Sequence, residues 1–156
     1  MSSFTFFFTE AHPFSQWYPC AFTVGGRTFS CAEQFMMHGK ALLFGDAETA
    51  EKILAAGHPK QHKALGRKVT PFDDVTWKSE RVAIVKAGSH AKYTQNPELL
   101  EKLLATKGTM LVEASPFDRI WGIGLSAKDP RALDPAQWRG QNLLGKVLTE
   151  LRDALA

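Results

Sequence analysis

The stretch that decides the fold is Ser30-Cys-Ala-Glu-Gln-Phe-Met-Met-His-Gly-Lys-Ala-Leu-Leu-Phe-Gly45. Between Ala32 and Phe44 it is rich in Glu, Gln, Met, Lys, Ala and Leu, which lose little rotamer freedom in a helix, so a helix is predicted there. Ser30 followed by Glu33 makes Ser-x-x-Glu, the pattern of a capping box. Gly45 can end the helix.

Working outward, the preceding Ala21-Phe-Thr-Val-Gly-Gly-Arg-Thr-Phe29 places Gly25-Gly26 between two β-prone runs, a hairpin signal. Phe4 to Phe8 is aromatic and reads as a first strand. On the other side, Asp46 can cap a second helix through Ala56, closed by Gly57. Pro59 opens a short helix to about Leu65, ended by Gly66. Asp73 or Asp74 starts a longer one through about Tyr93, and Asn96-Pro97 caps another through Ala105. Thr109 to Ala114 reads as a buried strand. Pro116 to Arg139 is predicted to be mostly loop. A last helix from about Gln141 to Leu155 carries one apolar stripe of Leu144, Val147, Leu148, Leu151 and Leu155. The expected class is α+β: one helix-rich domain over residues 1–156 around a small β-sheet, without the βαβ alternation of a dinucleotide fold.

Composition narrows the function classes. The chain has 156 residues, 44% hydrophobic and 22% charged, which is globular rather than disordered. A net charge of +3 permits a phosphate-bearing ligand but is too small for non-specific coating of DNA. Two cysteines, Cys20 and Cys31, are too few for a disulfide framework, so a reduced, cytoplasmic setting is expected. The first ten residues lack a basic region and reach Glu10, unlike a signal peptide. No stretch approaches the ~18 apolar residues of a membrane span, and no membrane partner is expected.

Several residues can carry chemistry. On the predicted helix, Glu33 and Lys40 return to nearly the same face, about 10.5 Å apart along the axis. They cannot pair as i,i+4 residues do, but they can flank a sugar-sized ligand. Otherwise Glu33 completes the cap and Lys40 is a solvated charge. In Leu111-Val-Glu-Ala-Ser-Pro-Phe-Asp-Arg-Ile-Trp-Gly-Ile-Gly124 a strand runs into a turn. Asp118 there is an acid or a turn-former. Trp121 is a stacking ring or a core aromatic. Gly122 and Gly124 can let amides approach a phosphate. Trp17, in the aromatic loop Phe14 to Pro19, can wall a pocket or cover the core. Arg67 can clamp a phosphate or complement a helix dipole. Asn142 reads as a helix cap or, less readily, a ligand contact. His58 and His62 have i,i+4 spacing without an HExxH pattern or a third ligand, so no metal site is expected.

In their order these segments resemble the NADAR/YbiA-like family. The resemblance is carried by Phe14-Ser-x-Trp-Tyr-Pro19, Glu33-Gln34 with Lys40-Ala41, Leu65-Gly-Arg67, Trp77, Gln95-Asn96 and Leu111-Val-Glu113. It continues through Asp118-x-x-Trp-Gly-Ile-Gly124, Gly140-x-Asn-x-Leu-Gly145 and Leu151-Arg152. It runs from about Phe6 to Leu155. One departure is Gln16, where the family usually has Asn. The resemblance implies an N-glycosidase without metal or cofactor. It also implies a phosphorylated N-ribosyl substrate: an early riboflavin-pathway intermediate, or ADP-ribose on guanine in nucleic acid. It singles out Glu33, Lys40, Trp77, Asp118 and Trp121.

Breaking a C1′–N bond builds positive charge on the sugar, and the leaving amine must be protonated. An N-ribosyl amine can also open to an imine, which a lysine amine can capture as a Schiff base. Lys40 is the expected nucleophile, with Glu33 or Asp118 moving protons. Trp121 or Trp77 would stack on base or sugar, and Arg67 with the Gly122 and Gly124 amides would hold phosphate. The rival is a non-catalytic module that binds ADP-ribose or a nucleotide and leaves it intact.

Overall fold

Two parallel strands far apart in sequence open the fold. β1 (Phe4–Phe7) pairs with β4 (Met110–Glu113), with Phe4 opposite Met110 and Phe7 opposite Glu113. A separate antiparallel pair, β2 (Phe22–Val24) and β3 (Arg27–Phe29), turns at Gly25-Gly26 as expected from sequence. The computed structural model describes residues 3–156, and it holds two two-stranded sheets rather than one. The helices are α1 (Ala32–Leu43), α2 (Ala47–Ala55), α3 (Pro59–Gly66), α4 (Asp74–Thr94), α5 (Pro97–Leu104) and α6 (Leu143–Leu155). The class is α+β.

The chain packs as two compact units, one of Gln16–Asn96 and one of the residues up to Ser15 together with Pro97–Ala156. In the first, α1 packs against α2, α3 and α4. The hairpin contributes Phe22 and Phe29, whose rings stack at 5.7 Å, to a core shared with Ala91, Phe35 and Leu54. In the second, β4 packs on α6, and the predicted stripe Leu144, Val147, Leu148 and Leu151 is buried. Its core gathers Val112, Ala114, Ile123, Leu125 and Ala132 beneath Phe4, Phe6 and Trp138. Arg152 is buried there as a clamp, donating from Nη1 to the carbonyls of Thr106 and Thr109 at 3.0 and 2.6 Å. The segment expected to be loop holds two 3-10 turns, Pro130–Leu133 and Pro135–Gln137, each capped by an aspartate.

The caps test the local reading. Asp46 accepts from the Thr49 N–H and starts α2 as predicted, and Asp73 accepts from the Thr76 N–H at the start of α4. The Ser30–Glu33 capping box does not form. Cys31 is the N-cap, in extended conformation, and its side chain makes no capping bond. The frame is one residue later: Gln34 accepts from the Ser30 N–H at 2.7 Å and donates to the Ile53 carbonyl at 3.0 Å. Gln34 therefore ties the start of α1 to the end of α2, and Glu33 is relieved of the capping role. Among the described residues no helix is long and apolar enough to cross a membrane, and no cluster of His, Cys, Asp or Glu could hold a metal.

Candidate active site

Within the Gln16–Asn96 unit, α1 presents the two ionisable residues singled out from sequence. Glu33 sits in the first turn and is 5% exposed. Its N–H donates to the Gln16 carbonyl at 2.9 Å, which anchors the helix start on the aromatic loop. This contact is made by the main chain, so it survives the replacement of the usual Asn by Gln16.

Lys40 lies in the last turn of α1 and is half-buried. Its Nζ stands 4.8 Å from the centre of the Phe72 ring and 5.4 Å from that of Trp77. Phe72 rests on Phe44, ring centres 5.2 Å apart, and Trp77 is set by the first turn of α4. Burial pulls the Lys40 pKa below that of an ordinary lysine; the Glu33 carboxylate opposes the shift and the Arg67 guanidinium adds to it. Arg67 reaches this neighbourhood because α3 ends in Gly66, where a methyl group would overlap Met37 Sδ on α1. Without a Cβ at Gly66, α3 can lie directly on α1 and deliver Arg67, exposed, at its end. Trp17 is half-buried and meets the His58 ring edge-on at 6.2 Å. His58 itself caps α3, so this histidine has a structural task.

Lys40, Glu33, Trp77 and Arg67 are thus brought together as one electrostatic and aromatic neighbourhood. Sequence reasoning missed Phe72. Its signal was position: an aromatic immediately before the Asp73 cap lies where the chain enters α4. It also missed Lys92, which is 1% exposed, between the rings of Tyr18 and Tyr93 at 5.9 and 5.1 Å. Burial lowers the Lys92 pKa to about 8.

The remaining candidates belong to the other unit. Asp118 Oδ1 accepts from the N–H groups of Ile120 and Trp121 at 2.9 and 2.8 Å, which folds the loop after β4 into a tight turn. Trp121 is half-buried. Gly122 is required by close approach: a methyl there would stand 2.9 Å from the Glu113 carbonyl oxygen and 3.0 Å from that of Asp118. Gly124 has φ of +69°, and its N–H donates to the Asp118 carbonyl at 3.0 Å. That amide is engaged inside the loop rather than offered to a phosphate. Asn142 is fully buried with φ of +53° and stands at the N-cap of α6 without a capping bond. Its side chain instead accepts from the Glu113 N–H and donates to the Leu111 carbonyl, at 3.0 and 3.1 Å, fastening α6 to β4.

Residues 5–156 match the family model described as the NADAR domain. The protein named N-glycosidase R617, from Acanthamoeba polyphaga mimivirus, is 44% identical over 147 residues, which cover 91% of this chain and 86% of that protein. Riboflavin biosynthesis protein VVA0006 of Vibrio vulnificus is 31% identical over 94% of this chain, but the match spans only 36% of that longer protein. The NMR structure of the Escherichia coli protein YbiA superposes with a TM-score of 0.80 at 26% identity, covering 99% of this chain and 86% of that one.

Proposed function

The chain belongs to the NADAR domain family and is an N-glycosidase, and on that footing we propose that it hydrolyses the C1′–N bond of a phosphorylated N-ribosyl amine through an imine on Lys40. The observation that carries this reading is the Lys40 amine itself. It is half-buried beneath Phe72 and Trp77, its ammonium form is disfavoured by burial, and its own helix carries a buried carboxylate, Glu33.

The chemistry follows from those features. The N-ribosyl amine opens its ring to an imine at C1′. Neutral Lys40 adds to that carbon, and the resulting aminal expels the original amine, which takes up a proton as it leaves. Glu33 is the proton carrier on the same helix. Water then adds to the Lys40 imine and releases the free sugar phosphate and the lysine amine. The two rings offer faces on which a sugar or base can lie. A non-catalytic binder would use those rings but would have no need of a depressed amine with a buried carboxylate on the same helix.

Two substrate types carry this bond: ADP-ribose attached to guanine in nucleic acid, and an early phosphorylated intermediate of riboflavin synthesis. The name of the Vibrio relative supports the second type for that protein and, by descent, as a candidate here. Incubating the protein with each substrate type and following released base and sugar phosphate by mass spectrometry tests the reading. Release from at least one is expected. Both substrates remaining intact, despite measurable binding, would replace the enzyme with a binder.

A further inference from the structure

We infer that the unit containing β1, β4 and α6 carries a second ligand site, a cavity of about 460 Å³ whose walls and charge suit a flat aromatic carboxylate. Phe4 and Met110, opposite each other in the register of the β1–β4 pair, both line it, together with Pro135 and Trp138 from the segment before α6. Every lining residue belongs to Pro97–Ala156 or to the chain up to Ser15, so none is shared with the Lys40 neighbourhood. The volume lies in the range that encloses a ligand of one or two rings.

The walls are held from outside the cavity. Trp138 donates from Nε1 to the carbonyl of the fully buried Ala132 at 2.9 Å, which restrains its ring. Phe4 meets that ring at 5.9 Å, with 60° between the planes. Both side chains, with Met110, pack on the core around Val112 and Ile123. The main chain closes the wall at Gly140, where a methyl group would overlap the Gly122 carbonyl oxygen and crowd Arg119 Cα. The aromatic surface is therefore formed before any ligand arrives.

Lys146, exposed on α6, is the charged residue of the lining, and no acidic residue shares that lining. Among the described residues it has no ion-pair partner. Ser3 and Gln141 add neutral polar side chains. This balance selects among ligands. A cation would meet the two rings but also Lys146, with no acid to offset it. A sugar phosphate carries more hydroxyls and more charge than one lysine and two neutral side chains satisfy. A ring bearing one carboxylate sets its apolar faces against Phe4 and Trp138 and its charge at Lys146. The Trp138 N–H is already spent on Ala132, so the side-chain donors left for that carboxylate are those of Lys146, Gln141 and Ser3.

Calorimetric titration of the whole protein with 2-naphthoate tests the site, with the neutral 2-naphthamide and the cation 2-naphthylmethylammonium as matched probes. Naphthoate is expected to bind at a single site per chain, the amide about 10-fold more weakly and the cation not at all. Lys146→Gln should bring naphthoate down to the affinity of the amide and leave the amide unchanged. Ser3→Trp, which adds a ring at an exposed lining position, should weaken both. Lys40→Ala should bind naphthoate as wild type does, because that amine belongs to the other unit. No binding of naphthoate, equal affinity for the amide, or full binding by Lys146→Gln or by Ser3→Trp would overturn the site. So would loss of binding in Lys40→Ala, which would place the ligand at the Lys40 rings instead. Naphthoate binding needs no turnover, so its failure leaves base release untouched, and failed base release leaves it intact.

Discussion

The Nζ of Lys40 lies 5.4 Å from the centre of the Trp77 ring, with Phe72 at 4.8 Å, so the amine is held under two aromatic faces. Ring faces favour the ammonium form, whereas burial favours the neutral amine. Burial wins, and the Lys40 pKa lies below that of an ordinary lysine. An amine that must be neutral to attack carbon is therefore available at lower pH.

This balance predicts opposite displacements for two neighbours. If neutral Lys40 is the active form, the rate rises with pH through its pKa. Glu33→Gln removes an anion that holds this pKa up, so the rising limb should move to lower pH, with turnover reduced ~10²-fold by loss of the proton carrier. Arg67→Gln removes a cation that holds the pKa down, so the limb should move to higher pH. Profiles of kcat/KM against pH for the two variants check both signs. Shifts in the same direction would contradict the electrostatic assignment.

Lys40→Arg separates charge from nucleophilicity. Guanidinium stays protonated at neutral pH and cannot form the imine. Steady-state rates should show Lys40→Arg nearly as inactive as Lys40→Ala. Recovery of most activity by arginine would reduce Lys40 to a fixed positive charge.

Asn142→Ala should be a stability variant. It removes both bonds between the Asn142 amide and β4 at a buried position of positive φ, and a loss of about 2–4 kcal/mol is expected. Denaturant unfolding measures it. Unchanged stability with weakened substrate binding would make Asn142 a ligand contact instead.

Acid should destabilise the fold through two buried histidines. Burial lowers the pKa of both His38 and His62, whose ordinary value is 6.5. A depressed pKa means the unfolded chain binds more protons, so the stability they contribute is full above pH 6.5 and is lost as pH falls below it. His38 Nε2 is buried and, among the described residues, has no hydrogen-bond partner. His38→Leu should therefore flatten the acid limb of melting temperature against pH, and an unchanged limb would contradict its neutral burial.

What was legible in the sequence was local. Asp46, Asp73 and the Gly25-Gly26 turn act over a few residues, and each does in the fold what its chemistry implies. α1 begins at Ala32 as expected, but its cap differs from the Ser30–Glu33 box: Cys31 is the N-cap, and Gln34, not Glu33, reaches back to Ser30, held there by the distant Ile53 carbonyl. The parallel pairing of β1 with β4 joins residues more than a hundred positions apart, which no periodicity records. Glu33 and Lys40 were legible as a shared helical face, but Phe72 and Arg67 come to that face only through the packing of α3 and α4 on α1.

Borohydride trapping during turnover tests the covalent role of Lys40. Reduction of the imine should leave a sugar phosphate adduct whose mass maps to the peptide containing Lys40, with loss of activity in proportion. Lys92, the other lysine with a depressed pKa, is sealed between Tyr18 and Tyr93 and serves as an internal comparison. An adduct on Lys40 and none on Lys92 is the predicted result. Active enzyme that yields no adduct on Lys40 under reduction, or carries it on Lys92, would contradict the account.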